Sequence, residues 1–240
     1  MKYDYCKDDM ILKVYPTASA CFETAFSFMK KHFWMLILIV FVGAAVDTPM
    51  WFIQQGKFES DGLNFTFHSF ELIQTLYYFA IASVYSYGVV YVFLKAVRKE
   101  NFIFEETLLG FKTYTRAVLS RILVMLIVGV GIILLIVPGI FLACRLIFVP
   151  YLIMDKKHGV VESLKISYYM TKGYFWTILG MGLLSFVFII LGLVFFGVGI
   201  LVALVWINAA FAVFYNAAED LHYEDACKQI GLVIEEEEKS

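Results

Sequence analysis

The sequence predicts an all-α fold, an integral membrane bundle of six transmembrane helices with three cytoplasmic amphipathic interfacial helices. Composition is the first reason, because 61% of the 240 residues are apolar and 17% are charged. Soluble domains have about 45–50% apolar and about 25% charged residues. The second reason is that the apolar residues form long runs, several of them near or above the roughly 20 residues that cross a bilayer.

The first unit, residues 18–98, contains an amphipathic helix and two spans. Apolar residues recur at helical spacing over residues 18–33 and predict the amphipathic helix. Apolar runs over residues 33–53 and 70–97 predict the two spans. The polar connection between them holds a single basic residue, Lys57, so we expect it on the outer side of the membrane.

The second unit, residues 104–155, opens with a short amphipathic helix and continues as one long apolar block. Pro138 and Gly139 interrupt this block, and a Pro-Gly pair is a strong turn signal. We therefore predict that the chain turns back there, between a third span at residues 122–137 and a fourth at residues 140–154.

The third unit, residues 159–220, has the same order. An amphipathic helix is predicted at residues 159–172. The apolar run at residues 175–218 is about twice the length of one crossing and therefore predicts the fifth and sixth spans. Three glycines lie near its middle and predict the turn: Gly192, Gly197 and Gly199.

Basic residues predict the orientation. The inner segments hold every Lys and Arg except Lys57 and Arg145, and short loops rich in Lys and Arg stay in the cytoplasm. A polar segment at 1–17 and an acidic tail at 221–240 flank the membrane domain, residues 18–220, and both are expected in the cytoplasm. The net charge of −2, without a basic patch, argues against nucleic-acid binding. The scattered cysteines and histidines predict neither a metal site nor a cofactor.

The three units share a sequence pattern. Lys30, Arg116 and Lys172 fall at the same offset in the three amphipathic helices. This pattern predicts a threefold internal repeat, in which each unit is one interfacial helix and one two-span hairpin. The alternative is that any basic, amphipathic segment leading into a span looks like this.

Two stretches resemble a bacterial membrane-domain family: VPGIFLACRLIFVPYLIMD, ending at Asp155, and ESLKISYYMTKGYFW, starting at Glu162. That family includes the membrane portion of some glycerophosphoryl diester phosphodiesterases and many stand-alone multi-span proteins. The resemblance implies a multi-pass protein of the bacterial inner membrane. It implies no phosphodiesterase activity, which in the family belongs to a separate soluble domain. The positions that match are Pro138, Gly139, Arg145, Pro150, Asp155, Glu162, Lys172, Gly173, Phe175 and Trp176.

Arg145 is the main candidate for a ligand-binding residue, because an arginine inside a span needs a polar partner. Asp47 in the first span and Asn208 in the sixth are predicted at a similar depth, so we expect the three side chains to form a buried polar cluster. Such a cluster would bind an anionic headgroup or carboxylate through the planar guanidinium. The alternatives are that the cluster only joins the spans, or that Arg145 extends outward to the membrane surface.

The sequence contains no H-E-x-x-H, G-x-S-x-G or P-loop motif, so no catalytic residue is predicted. We expect Pro150 to kink the fourth span and Asp155 to cap the helix that follows. The predicted function is that of a non-enzymatic protein that binds or helps move an amphipathic, lipid-like molecule, with membrane lipids as its partners. One alternative is a structural or assembly subunit that docks a membrane or cytoplasmic protein, or a second copy of itself. A weaker alternative is a membrane enzyme acting on lipids.

Overall fold

The computed structural model describes residues 17–29, 33–55, 77–194 and 198–232, and every regular element within these ranges is helical. The predicted all-α class is confirmed. A π-helical turn (Tyr78–Ala82) precedes α3, and a 3-10 helix (Phe104–Thr113) precedes α4. The α-helices in chain order are α1 (Ala18–Met29), α2 (Phe33–Gln55), α3 (Ser83–Val97), α4 (Tyr114–Leu134), α5 (Ile136–Arg145), α6 (Val149–Asp155), α7 (Val160–Met170), α8 (Phe175–Val194) and α9 (Val198–Gln229).

Five helical stretches of the described chain are long and apolar enough to cross a membrane, and α2 adds a shorter apolar stretch, Phe33–Val46. The chain is therefore a multi-pass membrane protein. Large apolar side chains cover the outside of α4 and α8, as expected for helices that face lipid. The five stretches are Tyr78–Val97, Phe104–Leu134, Ile136–Asp155, Phe175–Val194 and Gly199–Gln229.

The turn between α4 and α5 lies at Leu135, so the prediction of a turn at Pro138 and Gly139 was wrong by about one helical turn. Leu135 is extended, with φ −161° and ψ 139°, and its N–H donates to Gly131 O at 3.0 Å. Pro138 falls in the first turn of α5, where a missing N–H leaves no helical bond unmade. Gly139 lets the two helices touch, since a Cβ there would lie 2.8 Å from Ile132 Cα.

The predicted kink at Pro150 is confirmed as a break in the helix. The helix stops at Arg145, residues 146–148 form a turn, and α6 begins at Val149 with Pro150 in its first turn. The break frees the carbonyl of Arg145, which becomes a contact point for α7, as described below.

An aromatic cluster holds α6 against α9. The Phe148 ring centroid lies 5.3 Å from that of Phe214 and 5.4 Å from that of Tyr215, and Tyr151 stacks on Tyr215 at 4.8 Å. Rings of this size bury about 150–250 Å² each. The cluster therefore supplies much of the apolar burial at this end of the bundle.

The first amphipathic helix, α1, lies beside the middle of the α8–α9 pair. Trp206 Nε1 donates to Phe22 O at 2.8 Å, and the Phe22 and Phe188 ring centroids are 5.3 Å apart. Trp206 is about 20 Å along α9 from Glu219 at 1.5 Å per residue. The apolar side of α1 is thus covered by two helices, a position that the amphipathic pattern alone did not predict.

Candidate functional site

Arg145 ends α5 and carries a guanidinium with unused hydrogen-bond donors. Its Nη1 donates to Tyr168 O at 3.3 Å, and its Nε is buried without a hydrogen-bond partner. The guanidinium carbon lies 4.8 Å from the centre of the Phe141 ring and 5.0 Å from that of Tyr168. No carboxylate within the described ranges pairs with it. Arg145 is therefore a cation held in place by two aromatic rings, with no counter-ion among the side chains that the structure describes.

Polar side chains of α7 fix the backbone at Arg145. The Ser167 hydroxyl donates to Arg145 O at 2.8 Å, and the Thr171 hydroxyl, which lies 2.8 Å from Ser167 O, is also within 3.1 Å of Arg145 O. Ser167 Oγ also accepts the N–H of Phe148 at 3.2 Å. These bonds replace the backbone bonds lost at the helix break, so the orientation of Arg145 relative to α7 is set by the fold.

An apolar groove lies beside this arginine, between the α4–α5 hairpin and α7. Its volume is about 500 Å³, within the range of roughly 300–1,000 Å³ typical of small-molecule sites. Tyr168 belongs to both features, because its ring faces Arg145 and the residue also lines the groove. The other lining residues are mostly apolar, with one lysine and one glutamine, and the last two come from the end of α9: Ile127, Leu142, Leu146, Leu164, Lys165, Tyr169, Gln229 and Ile230.

The structure does not join Arg145 to Asn208, so that part of the predicted cluster was wrong. Asn208 Nδ2 donates to Leu204 O at 2.8 Å on its own helix, α9. This bond to the carbonyl four residues earlier satisfies one N–H of the amide within its own helix. Asp47 lies within α2, but its side chain is outside the described part of the structure.

The matching motif positions surround the α7–α8 connection. Gly173 has φ +95°, a conformation that favours glycine, and turns the chain from α7 into α8. The Phe175 ring packs on Phe141 at 5.4 Å, while Trp176 is 78% exposed and Lys172 is exposed. This part of the motif thus joins α8 to α5, next to Arg145.

Asp155 does not cap α7, so that prediction was wrong. Gly159 is the N-cap residue, and its N–H donates to Glu162 Oε2 at 2.9 Å. Residues 156–158 separate Asp155 from the helix start, too far for a capping bond. Asp155 instead accepts a hydrogen bond from the Tyr215 hydroxyl at 3.3 Å and binds an arginine.

That arginine, Arg98, is the centre of an ion-pair network that sequence reasoning missed. Its Nη1 and Nη2 donate to the two oxygens of Asp155 at 2.5 and 2.9 Å. Nη2 also contacts Glu219 Oε2 at 2.6 Å, and Nε donates to Asn216 Oδ1 at 3.0 Å. Lys156 completes the network with a 2.6 Å contact to Glu219 Oε1. Two cations and two carboxylates balance, so this network is a closed structural joint between α3, α6 and α9.

The charge of Arg98 is secured by its partners. Burial alone would lower the pKa of Arg98, but the hydrogen bonds with Asp155 and the negative charge of Glu219 outweigh it and raise the pKa. Arg98 and Arg145 therefore differ, because four of the five N–H donors of Arg98 have partners, whereas Arg145 has a single such bond, to Tyr168 O, and a buried Nε without a partner.

His158 makes the stability of this region depend on pH. Its Nε2 is 2.7 Å from the Tyr223 hydroxyl, and burial lowers its pKa below the usual value, with Lys156 adding to the effect and Glu162 opposing it. Below about pH 6.5 the unfolded chain then binds more protons than the folded one, so stability falls as the pH drops.

We expect the melting temperature of His158→Gln in detergent to fall less than that of the wild type between pH 7.5 and 5.5. Equal falls in the two proteins would contradict the assignment.

Comparison of the chain with protein-family models, with curated proteins and with solved structures gave no match.

Proposed function

We propose that the protein binds an anionic amphipathic molecule, of the kind represented by a membrane phospholipid, in the groove between the α4–α5 hairpin and α7. It acts as a binding or carrier protein rather than as an enzyme. The observation that carries the proposal is Arg145, whose buried Nε has no hydrogen-bond partner and which has no carboxylate partner among the described residues. Its neighbours Leu146 and Tyr168 line the groove.

A phosphate or carboxylate headgroup would complete the hydrogen bonding of this arginine. A buried donor without a partner costs about 1–3 kcal/mol, and an oxyanion accepts from two edges of a guanidinium at once. The rings of Phe141 and Tyr168 hold the guanidinium in one orientation before any ligand arrives. Lys165, on the groove wall, supplies a second positive charge for the same headgroup.

The apolar walls of the groove suit the acyl part of such a ligand. Leu142 comes from α5, Leu146 directly follows it, and Leu164 comes from α7 on the other side. A hydrocarbon chain between them gains about 25 cal/mol per Å² of surface removed from water. Headgroup and chain would therefore be recognised at adjacent places, as an amphipathic molecule requires.

We place the protein in a bacterial inner membrane, with six membrane-embedded helices in three pairs and both termini cytoplasmic. The distribution of Lys and Arg supports the orientation, and the 23-residue length of α2 supports its inclusion as a sixth membrane helix. A repeated unit is supported by the two described hairpins, which both close on paired glycines. A Cβ on Gly131 would lie 3.0 Å from Gly139 Cα, and one on Gly192 would lie 2.7 Å from the Gly199 carbonyl carbon.

Arg145→Gln tests the headgroup site. We expect about a tenfold or greater loss of affinity for phosphatidylglycerol, because a hydrogen bond to a charged group contributes about 1.5–3 kcal/mol. Binding is measured in detergent by native mass spectrometry of added phosphatidylglycerol and, separately, of phosphatidylcholine. The affinity of Arg145→Lys for phosphatidylglycerol is expected to lie between those of the wild type and Arg145→Gln, since lysine keeps the charge but not the planar fork.

Arg116→Gln is the matched control. Arg116 is exposed, and its Nη1 donates to one backbone carbonyl, Lys157 O, at 2.7 Å. The variant removes the same charge and a similar bond outside the groove, and it should bind phosphatidylglycerol as the wild type does. The proposal fails if Arg145→Gln, with an unchanged melting temperature, also binds like the wild type.

A further inference from the structure

The groove is lined in part by Ile230, and the chain that the structure describes runs only two residues further, to Leu232. Residues 233–240 follow with the sequence VIEEEEKS. We infer that this acidic segment occupies the groove when no ligand is bound, with its carboxylates beside Arg145 and Lys165. It would then compete with an anionic ligand for the same cations. The competition rests on the proposed function, whereas the docking of the segment does not.

The end of α9 turns the chain back against the protein. Gly231 has φ +75°, the left-handed conformation in which many helices end. The N–H of Leu232 donates to Cys227 O at 3.0 Å and that of Gly231 donates to Lys228 O at 3.1 Å, which are the two bonds of a Schellman motif. Leu232 and Ile230 both pack against the hydrophobic core. The acidic segment is therefore attached at the body of the protein and not at the tip of a projecting helix.

The groove and its edge carry positive charge without a described negative partner. Lys165 is the one charged residue among the described residues that line the groove, and it is exposed. Arg145, next to the groove, has a buried Nε without a partner. No carboxylate within the described ranges forms an ion pair with either cation. Four consecutive glutamates in the acidic segment supply the complementary charge.

The glutamates are within reach of both cations. An extended chain advances about 3.4 Å per residue, so Glu235 can lie up to about 17 Å from Ile230, and Glu238 up to about 27 Å. Ile230 and Tyr168 line one groove of about 500 Å³, and the guanidinium carbon of Arg145 lies 5.0 Å from the centre of the Tyr168 ring. The segment therefore has to span no more than the groove itself.

The acidic segment has the same chemical order as the ligand proposed above. Two apolar residues, Val233 and Ile234, precede the glutamates, and the groove walls are mostly apolar. A carboxylate accepts hydrogen bonds from a guanidinium as a phosphate does. Ion pairs at an exposed site are weak, but a short covalent connection gives an effective concentration in the mM range. The segment is thus suited to fill the groove and to be displaced by a tighter ligand.

Carbodiimide cross-linking tests the docking without any lipid. The reagent joins a carboxylate to a lysine amine, and the products in the full chain in detergent are identified by mass spectrometry. Among lysines outside residues 228–239, we expect Lys165 to be the main one joined to the glutamates, within a single chain. Lys112 is the matched control, because it is exposed but does not line the groove. Arg145→Gln should reduce the Lys165 product, since it removes the neighbouring charge.

A product from Lys165 no more abundant than that from Lys112 would overturn the inference. Products that join two chains in place of one would also overturn it, because a second copy would then be the occupant. Loss of the Lys165 product on addition of phosphatidylglycerol, but not of phosphatidylcholine, would support both the docking and the competition.

A variant with glutamine at all four positions, Glu235–Glu238, tests the competition. If the segment fills the groove for half to four-fifths of the time, its release should raise the affinity for phosphatidylglycerol about two- to fivefold, because the apparent affinity scales with the free fraction. The gain should shrink in high salt. The control is Glu224→Gln with Asp225→Asn, which removes two exposed carboxylates of α9 and should leave the affinity unchanged.

The two proposals fail in different ways. If binding of phosphatidylglycerol depends on Arg145 but is equal in the four-glutamine variant and the wild type, the inference is wrong and the proposed function stands. If Lys165 is cross-linked as expected but neither protein binds phosphatidylglycerol, the docking stands and the proposed function is wrong.

Discussion

Replacing Asp155 with alanine is expected to lower the free energy of unfolding by about 3 kcal/mol, the low end of the range for removing one member of a buried ion pair. The side chain of Asp155 is 9% exposed and accepts both terminal nitrogens of Arg98. Without it, Arg98 keeps only Glu219 and Asn216 and remains charged beneath the aromatic cluster. The measurement is the melting temperature and the denaturant midpoint of the purified protein in detergent.

The Lys95–Glu106 pair is the matched control for this prediction. It is a single contact of 2.7 Å, with side chains 18% and 20% exposed. Glu106→Ala is expected to cost less than Asp155→Ala, because it breaks one contact of an isolated pair and not a two-point contact at the centre of a network. In the double variant Arg98→Met with Asp155→Leu, part of the loss should be recovered, since removing both charges removes the cost of leaving one unpaired. If Asp155→Ala is no more destabilised than Glu106→Ala, the network is not a structural joint.

Composition and apolar run length were enough to predict the fold class, because both follow from the solvent that surrounds the helices. The position of the α4–α5 turn was harder to predict from the sequence. A Pro-Gly pair signals a break, but proline fits equally well in the first turn of a helix. The actual turn at Leu135 has no local polar or glycine signal, and it depends on the contact of Gly139 with the preceding helix.

The candidate site was predicted in part. Arg145 stood out because a charge within an apolar run is rare, and it has no carboxylate partner in the part of the chain that the structure describes. Its neighbours were assigned by depth along the spans, which says nothing about the direction in which a side chain points. The real neighbours, Ser167, Tyr168 and Thr171, come from α7 and its C-terminal end. All three lie in the stretch that resembles the family, but that resemblance does not tell which helix the stretch contacts.

The Arg98 network could not be found from sequence for a different reason. Asp155 and Glu219 lie 57 and 121 residues from Arg98 along the chain. Each, taken alone, resembles an ordinary charge at the end of a span. Only the packing of α3, α6 and α9 brings them together, so the information lies in the tertiary structure and not in any local pattern.

Gly88→Ala is expected to cause the largest loss of folded protein among single methyl additions to the described helices. Gly88 of α3 lies against the 3-10 helix, where a Cβ would lie 2.9 Å from Thr107 Cα and closer still to the Thr107 carbonyl. Overpacking a core side chain costs about 1–3 kcal/mol and occasionally more. Here the clash is with backbone and not with a flexible side chain, so we expect a loss of at least about 3 kcal/mol.

Gly129→Ala is the control, because nothing lies within 4 Å of a Cβ at that position of α4. Alanine favours a helix over glycine by about 1 kcal/mol, so this variant should be as stable as the wild type or slightly more so. Both variants are compared by the fraction of monodisperse protein on size-exclusion chromatography and by melting temperature in detergent. Because the 3-10 helix leads directly into α4, displacement at Gly88 should also move the α4–α5 hairpin and weaken phosphatidylglycerol binding. If Gly88→Ala has the same melting temperature as Gly129→Ala, then α3 and the 3-10 helix are not in backbone contact at this position.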